Sequence, residues 1–103
     1  MTRYEATTIS GARTRLHEDM LRRILRKHGE LNGMEERILD AVRSPDLVVS
    51  GYDKELLAIR HYSDTPLGAK DMVVVYREDK QLIITAFLTS DRSKLLKRNN
   101  STS

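Results

Sequence analysis

The feature that most constrains the fold is a change in the spacing of apolar residues part-way along the chain. Before residue 44 they recur every three or four positions, as at Leu16, Met20 and Ile24, which is typical of helices with one buried face. From residue 47 onwards they alternate with polar residues or form short β-branched runs, which is typical of strands. Helices that precede a run of strands indicate an α+β fold. The sequence therefore predicts two N-terminal helices packed on one face of a four-stranded antiparallel β-sheet.

Local signals set the expected limits of these elements. The first helix is predicted over residues 13–28, because Gly29 suits the left-handed position just after a helix end. The second is predicted over about 33–43, ahead of Pro45, since the residue before a proline avoids helical geometry. The four strands are predicted at 47–49, 55–62, 72–77 and 81–89, with a short turn between the last two and a longer loop over 63–71.

The 103 residues fit one domain, predicted over residues 1–91 and followed by a basic, polar tail over 92–103 that is expected to be flexible. Residues 3–9 are predicted as a short strand or an irregular segment. No apolar run approaches the roughly 20 residues of a membrane helix, and the first residues lack an apolar leader, so a cytoplasmic protein is expected. The chain has no cysteine, which excludes disulfides and thiolate metal ligands.

Charge is distributed unevenly along the chain. Residues 1–30 contain seven Lys or Arg and four Asp or Glu, residues 31–91 contain seven and eleven, and residues 92–98 contain four and none. The three segments therefore carry net charges of +3, −4 and +4. Two basic ends that flank an acidic middle can hold a polyanion such as nucleic acid. The alternative is that these charges only solvate the surface.

Histidines are the side chains that ordinarily titrate near neutral pH. His17 and His28 are eleven residues apart, so on one helix they point the same way but lie about 16 Å apart along its axis. They therefore cannot act as a pair on one bond. His28, beside the basic Arg26 and Lys27, is the better candidate for acid–base chemistry, whereas His17 is expected to pack against or orient its neighbours.

The predicted last strand has two different faces. An apolar face, expected to lie against the helices, consists of Ile84, Ala86 and Leu88. The other face consists of Ile83, Thr85, Phe87 and Thr89. This second face can line a groove in which Phe87 stacks on a base and a threonine binds phosphate. The alternative is that threonine is present because it suits a solvent-facing strand position.

Further candidates point to metal-free RNA cleavage. The sequence has no glycine-rich phosphate loop, no HExxH motif and no dense carboxylate cluster, so neither a cofactor nor a catalytic metal is expected. Cleavage without a metal needs a base for the 2′-hydroxyl proton, an acid for the leaving oxygen and cations for the phosphate. Arg60 and Tyr62 share one face of a predicted strand and His61 takes the other, while Arg77 can hold a phosphate bidentately.

Three parts of the chain resemble those of a known group of small domains. The histidine-containing first helix of phage and toxin-associated domains resembles residues 17–31, HEDMLRRILRKHGEL. The segment after their second helix resembles residues 44–48, SPDLV, and their last strands resemble 73–76 and 83–89, VVVY and IITAFLT. Over residues 14–90 the chain is thus similar to the barnase–EndoU–colicin–RelE-like nuclease superfamily. The resemblance implies a metal-independent ribonuclease, often a toxin with a protein antitoxin or immunity partner.

The residues and the resemblance together predict an endoribonuclease that cuts RNA by attack of the 2′-hydroxyl on the phosphodiester. Within the resemblance, His28 matches the histidine near the end of the first helix and Thr85 the threonine of the last strand. The predicted catalytic residues are His28, Arg60, Tyr62 and Thr85. The predicted RNA-binding residues are Arg22, Arg26, Lys27, Arg77, Phe87, Thr89, Lys94, Lys97 and Arg98. The alternative is a non-catalytic module of the same fold that binds RNA or a protein.

Overall fold

Six strands and two helices make up residues 4–91, which are the residues that the computed structural model describes. In chain order they are β1 (Tyr4–Thr7), β2 (Arg13–Leu16), α1 (Glu18–Lys27), a 3₁₀ turn (Gly29–Leu31), α2 (Glu35–Arg43), β3 (Leu47–Ser50), β4 (Leu56–Thr65), β5 (Gly68–Arg77) and β6 (Leu82–Thr89). The strands form one sheet in the order β1-β2-β6-β5-β4-β3. The predicted tail, with Lys94, Lys97 and Arg98, lies outside the described residues.

The predicted fold class is wrong in its strand count, its strand directions and its element order. The described sheet has six strands instead of four, and it is mixed, because β2 runs parallel to β6 where Arg15 pairs with Leu82. The other neighbouring strands pair antiparallel. The helices follow the first two strands and do not open the chain.

The residues predicted as the first turn of the first helix form β2. Over residues 13–16 a threonine and a leucine are fully buried and the two arginines are exposed, which is the two-residue alternation of a strand. Leu16 also stands at helical spacing from Met20, so the apolar pattern fits both structures. A hairpin, in which Gly11 adopts a φ of +89°, pairs this segment with β1. α1 begins only after His17, whose backbone is still extended.

The connection between the two helices also differs from the prediction. Gly29 lies within the 3₁₀ turn, and the left-handed conformation belongs to Gly33, with a φ of +85°. The backbone N–H of His28 donates to the carbonyl oxygen of Ile24 and completes the last turn of α1. His28 is therefore held at the exit of a helix, as the sequence predicts.

The long loop predicted over residues 63–71 is absent. β4 and β5 continue towards each other until Thr65 pairs with Gly68, so residues 66–67 alone form the turn. The Thr65 hydroxyl accepts a hydrogen bond from the backbone N–H of Leu67 and donates one to the carbonyl oxygen of Gly68. The side chain thus closes a turn whose proline offers no N–H of its own.

The sheet curves around α2, which contacts β1, β4 and β5. Arg43, the last residue of α2, donates a hydrogen bond to the Glu5 carbonyl oxygen in β1, and Arg60 in β4 donates one to the carbonyl oxygen of the next residue, Ser44. The two helices cover what we call the helix face of the sheet. Its buried side chains include Ala58, Met72, Val74, Tyr76 and Ala86. The opposite side of the sheet, the far face, carries His61, Asp71, Val73, Phe87 and Thr89, of which Val73 is fully buried and Asp71 nearly so.

A bulge in β6 changes which isoleucine enters the core. Val75 pairs with Thr85, but the next residue of β5, Tyr76, pairs with Ile83, so Ile84 is an extra residue. Ile83 is therefore buried, at 1% exposure, and Ile84 is only half-buried. The prediction that Ile84 packs against the helices is wrong, whereas Ala86 and Leu88 do face them.

Candidate functional site

A polar row crosses three adjacent strands on the far face. His61 in β4 pairs with Asp71 in β5, and Asp71 pairs with Thr89 in β6, so all three side chains point to the same side. The Nδ1 atom of His61 lies 3.1 Å from Oδ1 of Asp71. The imidazole is 52% exposed, but the carboxylate is only 11% exposed. An exposed imidazole is therefore backed by a nearly buried carboxylate.

The contact with Asp71 determines which nitrogen of the neutral His61 ring carries the proton. A carboxylate accepts a hydrogen bond only if Nδ1 carries a proton, so in the neutral ring the lone pair lies on Nε2. The backbone beneath the ring is also fixed, because the N–H of His61 donates to Oδ2 of Asp46 at 2.8 Å. His61 can thus accept a proton from a bound molecule and share the resulting positive charge with Asp71.

His28 reaches the same surface from the end of α1. Its ring centroid is 6.1 Å from that of Phe87, and the two planes are tilted by 38°. Nδ1 of His28 lies 3.7 Å from a carboxylate oxygen of Glu30. Phe87 belongs to the row next to Thr89 on the far face, in register with Val73. His28 therefore approaches from the β6 side, whereas His61 stands on β4, about 10 Å across the sheet from Thr89.

Thr85 lies one row beyond Phe87 on the far face, where it pairs with Val75. The structure therefore brings together four of the predicted site residues, which are His28, Thr85, Phe87 and Thr89. It adds His61 and Asp71, which are not among the site residues predicted from the sequence. Their proximity follows from the β4–β5 hairpin. The sequence predicts a loop over 63–71, which would leave Asp71 outside this hairpin.

Arg60 and Tyr62, also predicted as catalytic, lie on the helix face and are separated from Thr85 by the sheet itself. The guanidinium carbons of Arg37 and Arg60 are 5.1 and 5.4 Å from the centroid of the Tyr62 ring, within the range of cation–π attraction. The Tyr62 hydroxyl donates to the carbonyl oxygen of Arg37. Burial raises the pKa of Tyr62, and Arg60 opposes this shift. These contacts join α2 to β4.

Arg77, predicted to bind RNA, makes its contacts within the protein. Its guanidinium donates two hydrogen bonds to the carboxylate of Asp79, at 3.0 and 2.6 Å, and lies 3.6 Å from Asp53. The hydrogen bond with Asp79 raises the pKa of Arg77 and lowers that of Asp79. Only 16% of the Arg77 side chain is exposed. Arg77 therefore links the β5–β6 turn to the β3–β4 connection.

The outer surface of α1 forms what we call the basic ridge, which consists of Arg22, Arg23, Arg26 and Lys27. All four side chains are exposed. Arg22 pairs with Asp19 at 3.5 Å, and the other three have no ion pair within the described part of the chain. The ridge leads directly to His28, so positive charge borders the surface that holds the imidazoles.

Within residues 4–91, no three or more His, Cys, Asp or Glu side chains are arranged to hold a metal ion. No helix among these residues is long and apolar enough to cross a membrane. Comparison of the chain with family models, with curated proteins and with solved structures gave no match. The nuclease resemblance therefore stays a prediction.

Proposed function

We propose that this protein is a metal-independent endoribonuclease whose site lies on the far face. The observation that carries the proposal is the exposed His61 imidazole held by the nearly buried Asp71, on the surface that His28 also reaches. RNA cleavage by its own 2′-hydroxyl needs one group that accepts a proton and another that donates one. Two imidazoles that approach one surface, one from β4 and the other from the end of α1, can divide these roles.

In the proposed reaction, Nε2 of His61 takes the proton of the 2′-hydroxyl as that oxygen attacks the adjacent phosphorus. The bond from phosphorus to the 5′-oxygen breaks, and protonated His28, which approaches from the β6 side, gives its proton to the departing oxygen through a bridging water. The products are a 2′,3′-cyclic phosphate and a 5′-hydroxyl end. Asp71 balances the charge of the imidazolium that forms on His61 in this step.

The neighbouring residues suit RNA as the substrate. Phe87 offers a half-buried ring on which an unpaired base can stack, and the hydroxyls of Thr85 and Thr89 can hydrogen-bond to phosphate. The basic ridge adds sequence-independent attraction for the flanking phosphates. A toxin role in the cytoplasm, with an antitoxin or immunity protein as partner, belongs to the proposal on the strength of the sequence and its resemblance.

The test is cleavage of a short single-stranded RNA in EDTA by wild type, His61→Gln and His28→Gln. We expect each variant to lose at least about 100-fold in rate, as is typical when a general acid or base is removed. A substrate whose 5′-bridging oxygen is replaced by sulfur has a leaving group that needs no proton. It should restore cleavage by His28→Gln and leave His61→Gln slow.

Asp71→Asn should also slow cleavage, because an amide cannot balance the charge that forms on His61. Asp64→Asn is the matched control, since Asp64 also lies on the sheet but pairs with Arg37 away from the imidazoles. Absence of cyclic-phosphate product from wild type, or equal rates for His61→Gln and wild type, would contradict the proposal.

A second candidate is a non-catalytic module that binds single-stranded RNA. The specific observation in its favour is that the sheet separates Arg60 and Tyr62 from Thr85, so the predicted catalytic set does not converge on one face. Binding that weakens steeply with salt, together with intact RNA after long incubation, would favour this candidate.

A further inference from the structure

A small cavity lies where the first turn of α1 meets the start of β6. Its volume is about 190 Å³, and it is lined by His17, Asp19, Met20, Arg23, Leu82 and Ile83. Within the described residues β2 pairs with β6 at Leu82 and then gives way to α1. The cavity occupies the gap that this replacement of a strand by a helix leaves beside β6.

The cavity has an apolar floor and a polar rim. Met20, Leu82 and the buried Ile83 supply the floor, whereas His17, Asp19 and Arg23 are exposed around it. Arg23 makes no hydrogen bond or ion pair with another described residue. The rim therefore offers a planar cation, together with a carboxylate that can accept hydrogen bonds.

These properties fit one unpaired nucleobase. A base needs an apolar surface or a guanidinium plane to stack on, and polar groups at the edge for its N–H and carbonyl groups. An apolar cavity of about 150 Å³ can take up benzene, so this volume is sufficient for a heteroaromatic ring. Arg23 also belongs to the basic ridge, which supplies the charge complementarity for the phosphates attached to that base.

The position of the cavity sets its relation to the proposed cleavage site. His17 and His28 stand at opposite ends of α1, about 16 Å apart. A strand that follows the basic ridge would reach the cavity some nucleotides away from the bond that is cut. We propose that this cavity binds one unpaired base of a single-stranded RNA and so contributes sequence preference. The inference rests on RNA being the ligand in the proposed function, and not on cleavage.

The test measures binding of an octaribonucleotide with 2′-O-methyl groups, which cannot be cut, in a series with one abasic site moved along it. We expect one position at which loss of the base weakens binding by at least about 5-fold, the lower end of the range for a stacked base, because the floor of the cavity is aliphatic. Met20→Trp, which fills the cavity, and Arg23→Ala, on the exposed helix surface, should each reduce this penalty. Arg26→Ala removes the same charge from the same ridge away from the cavity, so it should weaken binding of all the oligonucleotides alike and leave the penalty for the abasic site unchanged.

The binding results test the base site, whereas the cleavage results test the proposed function. No sensitive position, or a penalty unchanged in both Met20→Trp and Arg23→Ala, would overturn the base site even if the protein cleaves RNA. A sensitive position that both variants abolish would support it even if no cleavage occurs. If the protein binds no RNA at all, the base site and the proposed function both fail.

Discussion

At the scale of single residues, what His61 can do depends on the residue opposite it in the sheet. In the sequence nothing distinguishes His61 from any other strand histidine, and Asp71 stands ten residues after it. Their contact follows once β4 and β5 are known to turn at residues 66–67. Because Pro66 and Gly68 also suit a longer loop, the sequence predicts Asp71 outside the sheet and gives no sign of its contact with His61.

What Arg77 does also depends on the residues that the fold places beside it, and the effect of its contact with Asp79 can be measured. Its hydrogen bonds hold the pKa of Asp79 below the ordinary 3.8, so the Asp79 contribution to stability is present above pH 3.8 and is lost as the pH falls through the lowered value. In Arg77→Ala we expect the Asp79 carboxyl pKa, measured by NMR titration, to rise towards 3.8.

Arg43→Ala is the control for this titration, because Arg43 pairs with Asp40 and Glu36 and not with Asp79. An Asp79 pKa that is the same in wild type and Arg77→Ala would contradict the role of Arg77 in the turn. If Arg77 instead binds RNA, as the sequence predicts, the Arg77→Ala variant should lose RNA affinity.

At the scale of elements, helices and strands are predicted correctly where the apolar pattern of a segment fits only one kind of element. The strands β3 to β6 and the helix α2 are all present near their predicted positions, because β-branched runs and Pro45 leave little choice. β2 is not predicted by the sequence because Leu16 suits both a strand and a helix, and only the pairing of this segment with β1 decides between them. The spacing of apolar residues within one segment does not show which distant segment it pairs with.

The bulge in β6 yields a prediction about two neighbouring residues of the same type. Ile83→Ala should lower the free energy of unfolding by about 2–5 kcal/mol, because it leaves a cavity in the core. Ile84→Ala should cost no more than about 1 kcal/mol, since Ile84 is the extra, half-buried residue. Urea denaturation of both variants measures the difference, and a larger loss for Ile84→Ala would mean that β6 has the unbulged register predicted from the sequence.

At the scale of the whole molecule, the sheet divides the predicted site between its two faces. Strand alternation alone puts Arg60 and Tyr62 on one side of β4 and His61 on the other, but it does not say which side the helices cover. In the structure α2 covers the Arg60 and Tyr62 side, where Arg37 and Ser44 contact them. The proposed cleavage site therefore lies on the far face, whereas the guanidinium groups of Arg37 and Arg60 belong to the helix–sheet interface.

The same burial on the helix face predicts how stability changes at high pH. Burial raises the pKa of both Tyr62 and Tyr76 above the ordinary 10.0. Both rings are neutral below pH 10, so their contribution is complete there. As the pH rises further the unfolded chain loses these protons first, and the free energy of unfolding falls. Urea denaturation between pH 9 and 11 should therefore show a shallower decline for the Tyr62→Phe/Tyr76→Phe double variant than for wild type. An equally steep decline would mean that neither hydroxyl is buried in the folded protein.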